Sequence, residues 1–146
     1  MKKVVLAVDP MDYEIRGLYR FASLKPECTI AADVEGVWPE NPRMLMVASD
    51  PDDTAFVENL GMDFASSLTK AEVPVGELRI LERETEGVAK PLLEGADVIV
   101  LADGDDVKRK EFFAAIDFPE LLKGAKEDAV LIALDKQALA TAGVSL

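Results

Sequence analysis

Four aspartates occupy the same place in a repeating pattern. Asp9, Asp50, Asp103 and Asp135 each follow, directly or one residue on, a short apolar run: Val4–Val8, Met44–Ala48, Val98–Ala102 and Ala129–Leu134. Asp52, Asp53, Asp105 and Asp106 extend two of these acidic ends. If the runs are parallel strands, the carboxylates gather at one edge of a sheet, where carboxyl groups bind Mg²⁺ or shift one another's ionisation. Asp135 beside Lys136, with Asp9 and Asp103 at neighbouring run ends, also has the ingredients of a phospho-acceptor, because an aspartate carboxylate can act as a nucleophile. Helix capping asks for the same residues at the same places. An aspartate just before a helix accepts hydrogen bonds from free amides and sits at the positive end of the dipole. Asp53 before Thr54 and Asp106 before Val107 read as such caps. Capping outranks metal binding, since one cap per strand-to-helix turn is ordinary, so no metal and no cofactor are expected.

The residues that are missing narrow the chemistry further. The chain contains no histidine, which removes Ser-His and Cys-His nucleophile pairs, His-ligated zinc and a histidine proton shuttle. A single cysteine, Cys28, excludes an internal disulfide and a thiolate cluster. Ser49 and Ser145 lie near the ends of apolar segments without a candidate base. Gly104 stands alone, so no glycine-rich phosphate loop is present. A net charge of −12 repels phosphate backbones and anionic lipid, so neither nucleic acid nor membrane is an expected partner. The longest apolar runs fall far short of the roughly 20 residues of a membrane-spanning helix. Lys2-Lys3 and the apolar start that follows stop at Asp9-Pro10, too soon for a signal core, which leaves a cytoplasmic location as the expectation.

The elements that must position these residues follow from the hydrophobic pattern. Residues 1–146 read as a single α/β domain, with a core large enough to stand without disulfides. Val4–Val8, Met44–Ala48, Leu78–Leu81, Val98–Ala102 and Ala129–Leu134 are unalternating runs, the signature of strands buried on both faces. Between them, Ile15, Leu18, Tyr19 and Ala22 share one helical face, and Phe56, Val57, Leu60, Phe64 and Leu68 form a clearer helical stripe. Val88, Leu92 and Leu93 suggest a shorter helix weakened by Pro91. Phe112, Phe113 and Ile116 mark another, and Leu121-Leu122 a short turn closed by Gly124. Thr29–Ala31 reads as a short strand, and Trp38, in a Pro-rich loop, as a lid over the core. Alternating strands and helices predict a three-layer, Rossmann-like or flavodoxin-like domain, with a mostly parallel sheet and helices on both faces.

From Met44 to Leu146 the chain resembles the peptidase E family, serine peptidases with a class I glutamine-amidotransferase-like fold. Met44-Leu45-Met46-Val47-Ala48-Ser49-Asp50-Pro51 is similar to that family's strand and Ser-Asp-Pro turn. Leu78–Leu81 with Glu84-Thr85-Glu86, Gly95–Leu101, Phe112-Phe113 and Glu120–Lys123 follow in the family's order. Ala129–Ala133 then takes the place of the strand that ends in the nucleophile elbow. The resemblance implies a Gly-Gly pair shaping an oxyanion pocket, where this chain reads Ala102-Asp103-Gly104-Asp105-Asp106. It implies Gly-x-Ser-Ala-Gly at the elbow, where this chain reads Ala133-Leu134-Asp135-Lys136-Gln137. Asp135 stands at the serine, Lys136 and Gln137 replace small residues that a tight elbow needs, and the family's downstream histidine has no counterpart.

The function expected on this basis is that of a non-catalytic, peptidase E-like binding or structural module. Two alternatives stand beside it. One is a Mg²⁺-dependent or phospho-accepting protein built on Asp9, Asp50, Asp103 and Asp135. The other is a truncated or partner-completed peptidase acting on Asp-X dipeptides. A sheet that stops at the elbow strand leaves an edge open, which predicts a homodimer through the Phe112–Phe113 helix or the Ala138–Leu146 tail.

Overall fold

A computed structural model describes all 146 residues. Five parallel strands form the central sheet: β1 (Lys3–Leu6), β4 (Arg43–Val47), β5 (Glu77–Leu81), β6 (Val98–Leu101) and β7 (Val130–Ala133), in the spatial order β1-β7-β6-β4-β5. All five apolar runs are therefore strands. Two of the three interior strands, β6 and β7, are buried at every residue, as strands covered on both faces must be.

The crossovers place the helices. From β4 the chain passes outward through α2 (Thr54–Lys70) to β5 at the sheet's edge. It then returns through α3 (Ala89–Gly95) to β6, and through α4 (Asp106–Ala115) and α5 (Phe118–Leu122) to β7. Right-handed crossovers running in opposite directions lay their helices on opposite faces. Accordingly α4, α5 and α6 (Lys136–Ala142) pack on one another, α3 packs on α5, and α2 lies on the other side. The predicted three-layer architecture is what the chain adopts.

The helical stripe of α2 buries Val57, Phe64 and Leu68, while Phe56 turns to its exposed shoulder. Pro91 is accommodated near the start of α3, where an amide has no intrahelical partner. The short turn at Leu121-Leu122 is the end of α5, and Gly124 closes it by donating to the Leu121 carbonyl at 3.0 Å. Trp38 is half-buried against the core and donates from Nε1 to the Pro74 carbonyl at 2.8 Å, the lid that its loop implied.

Three sequence expectations are overturned. The segment with Ile15, Leu18, Tyr19 and Ala22 is not a helix but an antiparallel hairpin, β2 (Met11–Arg16) and β3 (Tyr19–Leu24). Gly17, at φ 62°, begins its two-residue turn, where a positive φ is required. The alternating Tyr13/Ile15 and Tyr19/Phe21 pairs carry strand period as well as helix spacing, and the turn decided between them. Thr29–Ala31 is not a strand: Ile30–Asp33 forms the short helix α1. The open edge expected at the elbow strand is also absent, and the segments named as dimer surfaces turn most of their apolar side chains inward. Phe112 and Phe113 are 1% and 2% exposed, Ala138, Leu139 and Ala142 are buried, and β7 is interior, covered by β1 on one side and β6 on the other.

Candidate functional site

The point where successive crossovers diverge lies between β4 and β6, and in open parallel sheets that crevice is where ligands bind. The loops after these strands carry Ser49-Asp50 and Asp103-Gly104-Asp105. They are tied directly: Ser49 is buried and its Oγ donates to the Asp103 carbonyl at 2.8 Å. Gly104 adopts φ 138°, and a Cβ built there would lie 2.2 Å from Ser49 Oγ. The glycine and the serine thus fit each other at the mouth of the sheet.

Each aspartate of this edge except Asp103 has a local partner. Asp105, not Asp106, is the cap of α4, accepting from the Lys108 amide at 2.9 Å; the cap falls one residue earlier than the sequence suggested because Asp106 is already helical. Asp53 caps α2 as expected, accepting from the Phe56 amide at 3.3 Å. Asp50 Oδ1 accepts from the Asp52 amide at 3.0 Å, within its own turn. Asp9, exposed and at φ 47°, pairs with Lys25 at 2.7 Å.

Asp135 caps α6 and does more. Oδ1 accepts from the Gln137 amide at 2.8 Å, and Oδ2 accepts from Arg109 Nη2 at 2.9 Å. Its backbone, at φ −151° and ψ 131°, is extended and unstrained. Lys136 opens the helix with its side chain in solvent, and Gln137 contributes only its amide. The strand-to-helix bend at the resemblance's elbow is therefore an ordinary capped helix start.

Arg109 is the residue that sequence reasoning passed over. It is wholly buried, and it bridges three places: Asp106 Oδ1 at 3.0 Å, the Ala102 carbonyl at 3.2 Å and Asp135 Oδ2 at 2.9 Å. Its Nε has no partner. The signal was present in the spacing, because Arg109, Phe112, Phe113 and Ile116 share one helical face, and a cation on a buried stripe must be paired. Tyr13 is a second omission, hidden by the helical reading of the hairpin.

Electrostatically the edge is shared but unevenly. Burial pushes the Asp103 carboxyl above the ordinary range, and the charges of Asp135 and Asp9 push the same way against Arg109. Burial likewise raises the Tyr13 hydroxyl, with Asp63, Asp103 and Asp9 adding to the rise and Arg20 opposing it. So Asp103 is the carboxyl at this edge that feels both Asp135 and Asp9. No three acidic, histidine or cysteine side chains converge in a way that could hold a metal ion. No helix is long and apolar enough to cross a membrane.

Comparison with protein-family models, with curated proteins and with solved structures finds no match to this chain.

Proposed function

We propose that the chain is a non-catalytic binding or structural module, a peptidase E-like architecture whose elbow has become a structural joint. The observation that carries this reading is the double commitment of Asp135. One carboxylate oxygen caps α6 and the other is held by a buried arginine, so neither is free to attack a carbonyl or a phosphoryl group. A nucleophile elbow instead presents its attacking atom on a sharp, strained turn with small neighbours. An oxyanion pocket beside it would also suffer from Asp103, whose negative charge repels the charge it should stabilise.

Arg109 weighs against the phospho-acceptor alternative in the same way, because the pair it forms with Asp135 would have to break before phosphorylation. The test is direct. The protein is incubated with Asp-X dipeptides and, separately, with acetyl phosphate and Mg²⁺, and product release and incorporated label are measured. Neither should rise above the level of a denatured control. Asp-X hydrolysis that disappears in Asp135→Asn overturns the proposal, as does stoichiometric labelling lost in the same variant.

A further inference from the structure

The hairpin β2–β3 is a two-stranded sheet, and its two edges are not equivalent. β3 packs along α2, and Lys70 near the end of that helix donates from Nζ to the Ala22 carbonyl, covering the β3 side. β2 is bare along its outer edge. Half of β2 is charged, at Asp12, Glu14 and Arg16, but Ile15 is 76% exposed, and Leu18 in the turn and Tyr19 and Phe21 on β3 also lie in solvent. An exposed edge of that kind is a template for another strand.

The hairpin's own bonding decides which groups β2 offers. Lys25 donates to the Pro10 carbonyl at 2.8 Å, so that opposed pair is hydrogen-bonded. Bonded and unbonded pairs alternate along an antiparallel ladder. Asp12, Glu14 and Arg16 therefore bond inward to Ser23, Phe21 and Tyr19, and Met11, Tyr13 and Ile15 turn their N–H and C=O outward. The Ala22 carbonyl, opposite Tyr13 and free to reach Lys70, obeys the same alternation.

We infer that β2 pairs with β2 of a second copy of this chain, antiparallel, with Ile15 opposite Ile15 on the twofold axis. A twofold dimer requires the same strand from both copies. Outward-facing residues must then oppose outward-facing residues, which leaves three central registers. Tyr13 opposite Tyr13 sets Asp12 against Glu14 twice. Tyr13 opposite Ile15 sets Asp12 against Arg16 twice but also sets Glu14 against Glu14 on the axis, a like-charge contact that the remaining register lacks. Ile15 opposite Ile15 sets Glu14 against Arg16 twice, and directly opposed unlike charges stabilise a strand pair where like charges oppose it. In the single chain these two side chains already meet along their own strand, Arg16 Nε to Glu14 Oε1 at 2.9 Å, and the dimer makes the same pairing across the axis. This local match works against the net charge of −12 on each copy, which otherwise favours separation. The dimer stands on the hairpin alone and holds whatever the chemistry of the carboxyl edge.

The experiment is sedimentation equilibrium or light scattering of the full chain at micromolar concentration. Wild type should show twice the 15.8 kDa chain mass. Ile15→Lys should show the monomer mass, with an unchanged circular dichroism spectrum because position 15 lies in solvent. Glu14→Arg alone and Arg16→Glu alone should each be monomeric, since each sets like charges across the axis. An equimolar mixture of these two variants should regain the doubled mass, because each then offers the other an opposite charge at both contacts. A monomeric wild type, or single charge variants that stay dimeric, overturns the inference, and a mixture that stays monomeric overturns the register.

Discussion

Arg109 and Asp135 belong to different helices, yet Nη2 of the one and Oδ2 of the other meet at 2.9 Å, with the guanidinium fully enclosed and the carboxylate 24% exposed. That bond fixes the start of α6 against α4 at the mouth of the sheet.

Removing one partner of such a pair should cost far more than removing both. Arg109→Met takes the donor from the Asp106 and Asp135 carboxylates and the Ala102 carbonyl, for an expected loss of about 2–4 kcal/mol. The double variant Arg109→Met/Asp135→Asn should recover part of that loss, because it retains the cap and leaves no unpaired charge. Urea unfolding of the wild type, both single variants and the double variant measures the coupling.

Gly104→Ala tests the fit of the switch-point loops. The backbone there is at φ 138°, and the new methyl group would collide with Ser49 Oγ. The expected cost is about 1–3 kcal/mol from backbone strain alone. Adding Ser49→Ala relieves the collision but not the strain, so the double variant should recover only part of the loss in thermal melts.

Glu82 predicts a dependence on pH. It is 4% exposed; Oε1 accepts from the Glu84 amide at 2.9 Å, and Oε2 has no partner. Burial holds its carboxyl above the ordinary 4.5. A raised carboxyl keeps its proton in the folded state while the unfolded chain has lost it. Its contribution is therefore complete below about 4.5 and is lost as pH rises through the folded value. Glu82→Gln should remove this downward slope and equal or exceed wild-type stability at neutral pH. Unfolding free energies measured across the acid-to-neutral range in both proteins decide it, and identical slopes would exclude this role for Glu82.

Much of this architecture was legible because the sheet is parallel and enclosed. Strands covered on both faces have to be apolar throughout, so Val98–Leu101 and Val130–Ala133 announce themselves. Asp53 was legible as a helix start, and the start of α4 was legible at Asp106 to within one residue, because capping is local chemistry. The hairpin was not, because Ile15, Leu18, Tyr19 and Ala22 satisfy helix spacing while the strand period is equally present; the turn at Gly17 and packing on α2 settled it. Arg109 was missed for a different reason. Its partners come from 7 and 26 residues away, and contacts of that kind depend on the strand order, which sequence does not display.

Trp38→Phe isolates one hydrogen bond. The ring would still pack on the core, but the Pro74 carbonyl would lose the indole donor that now lies 2.8 Å away. The expected loss is about 1 kcal/mol, read from the shift of the unfolding midpoint followed by circular dichroism.

The pairing of β1 with β7 also sets a timetable. Lys3 lies against Val130, so the only strand neighbour of β1 comes from a segment far away along the chain. Closing so long a loop is slow compared with forming the α2 and α3 connections. β1 therefore docks late, its apolar residues unsheltered until β7 has formed beside β6.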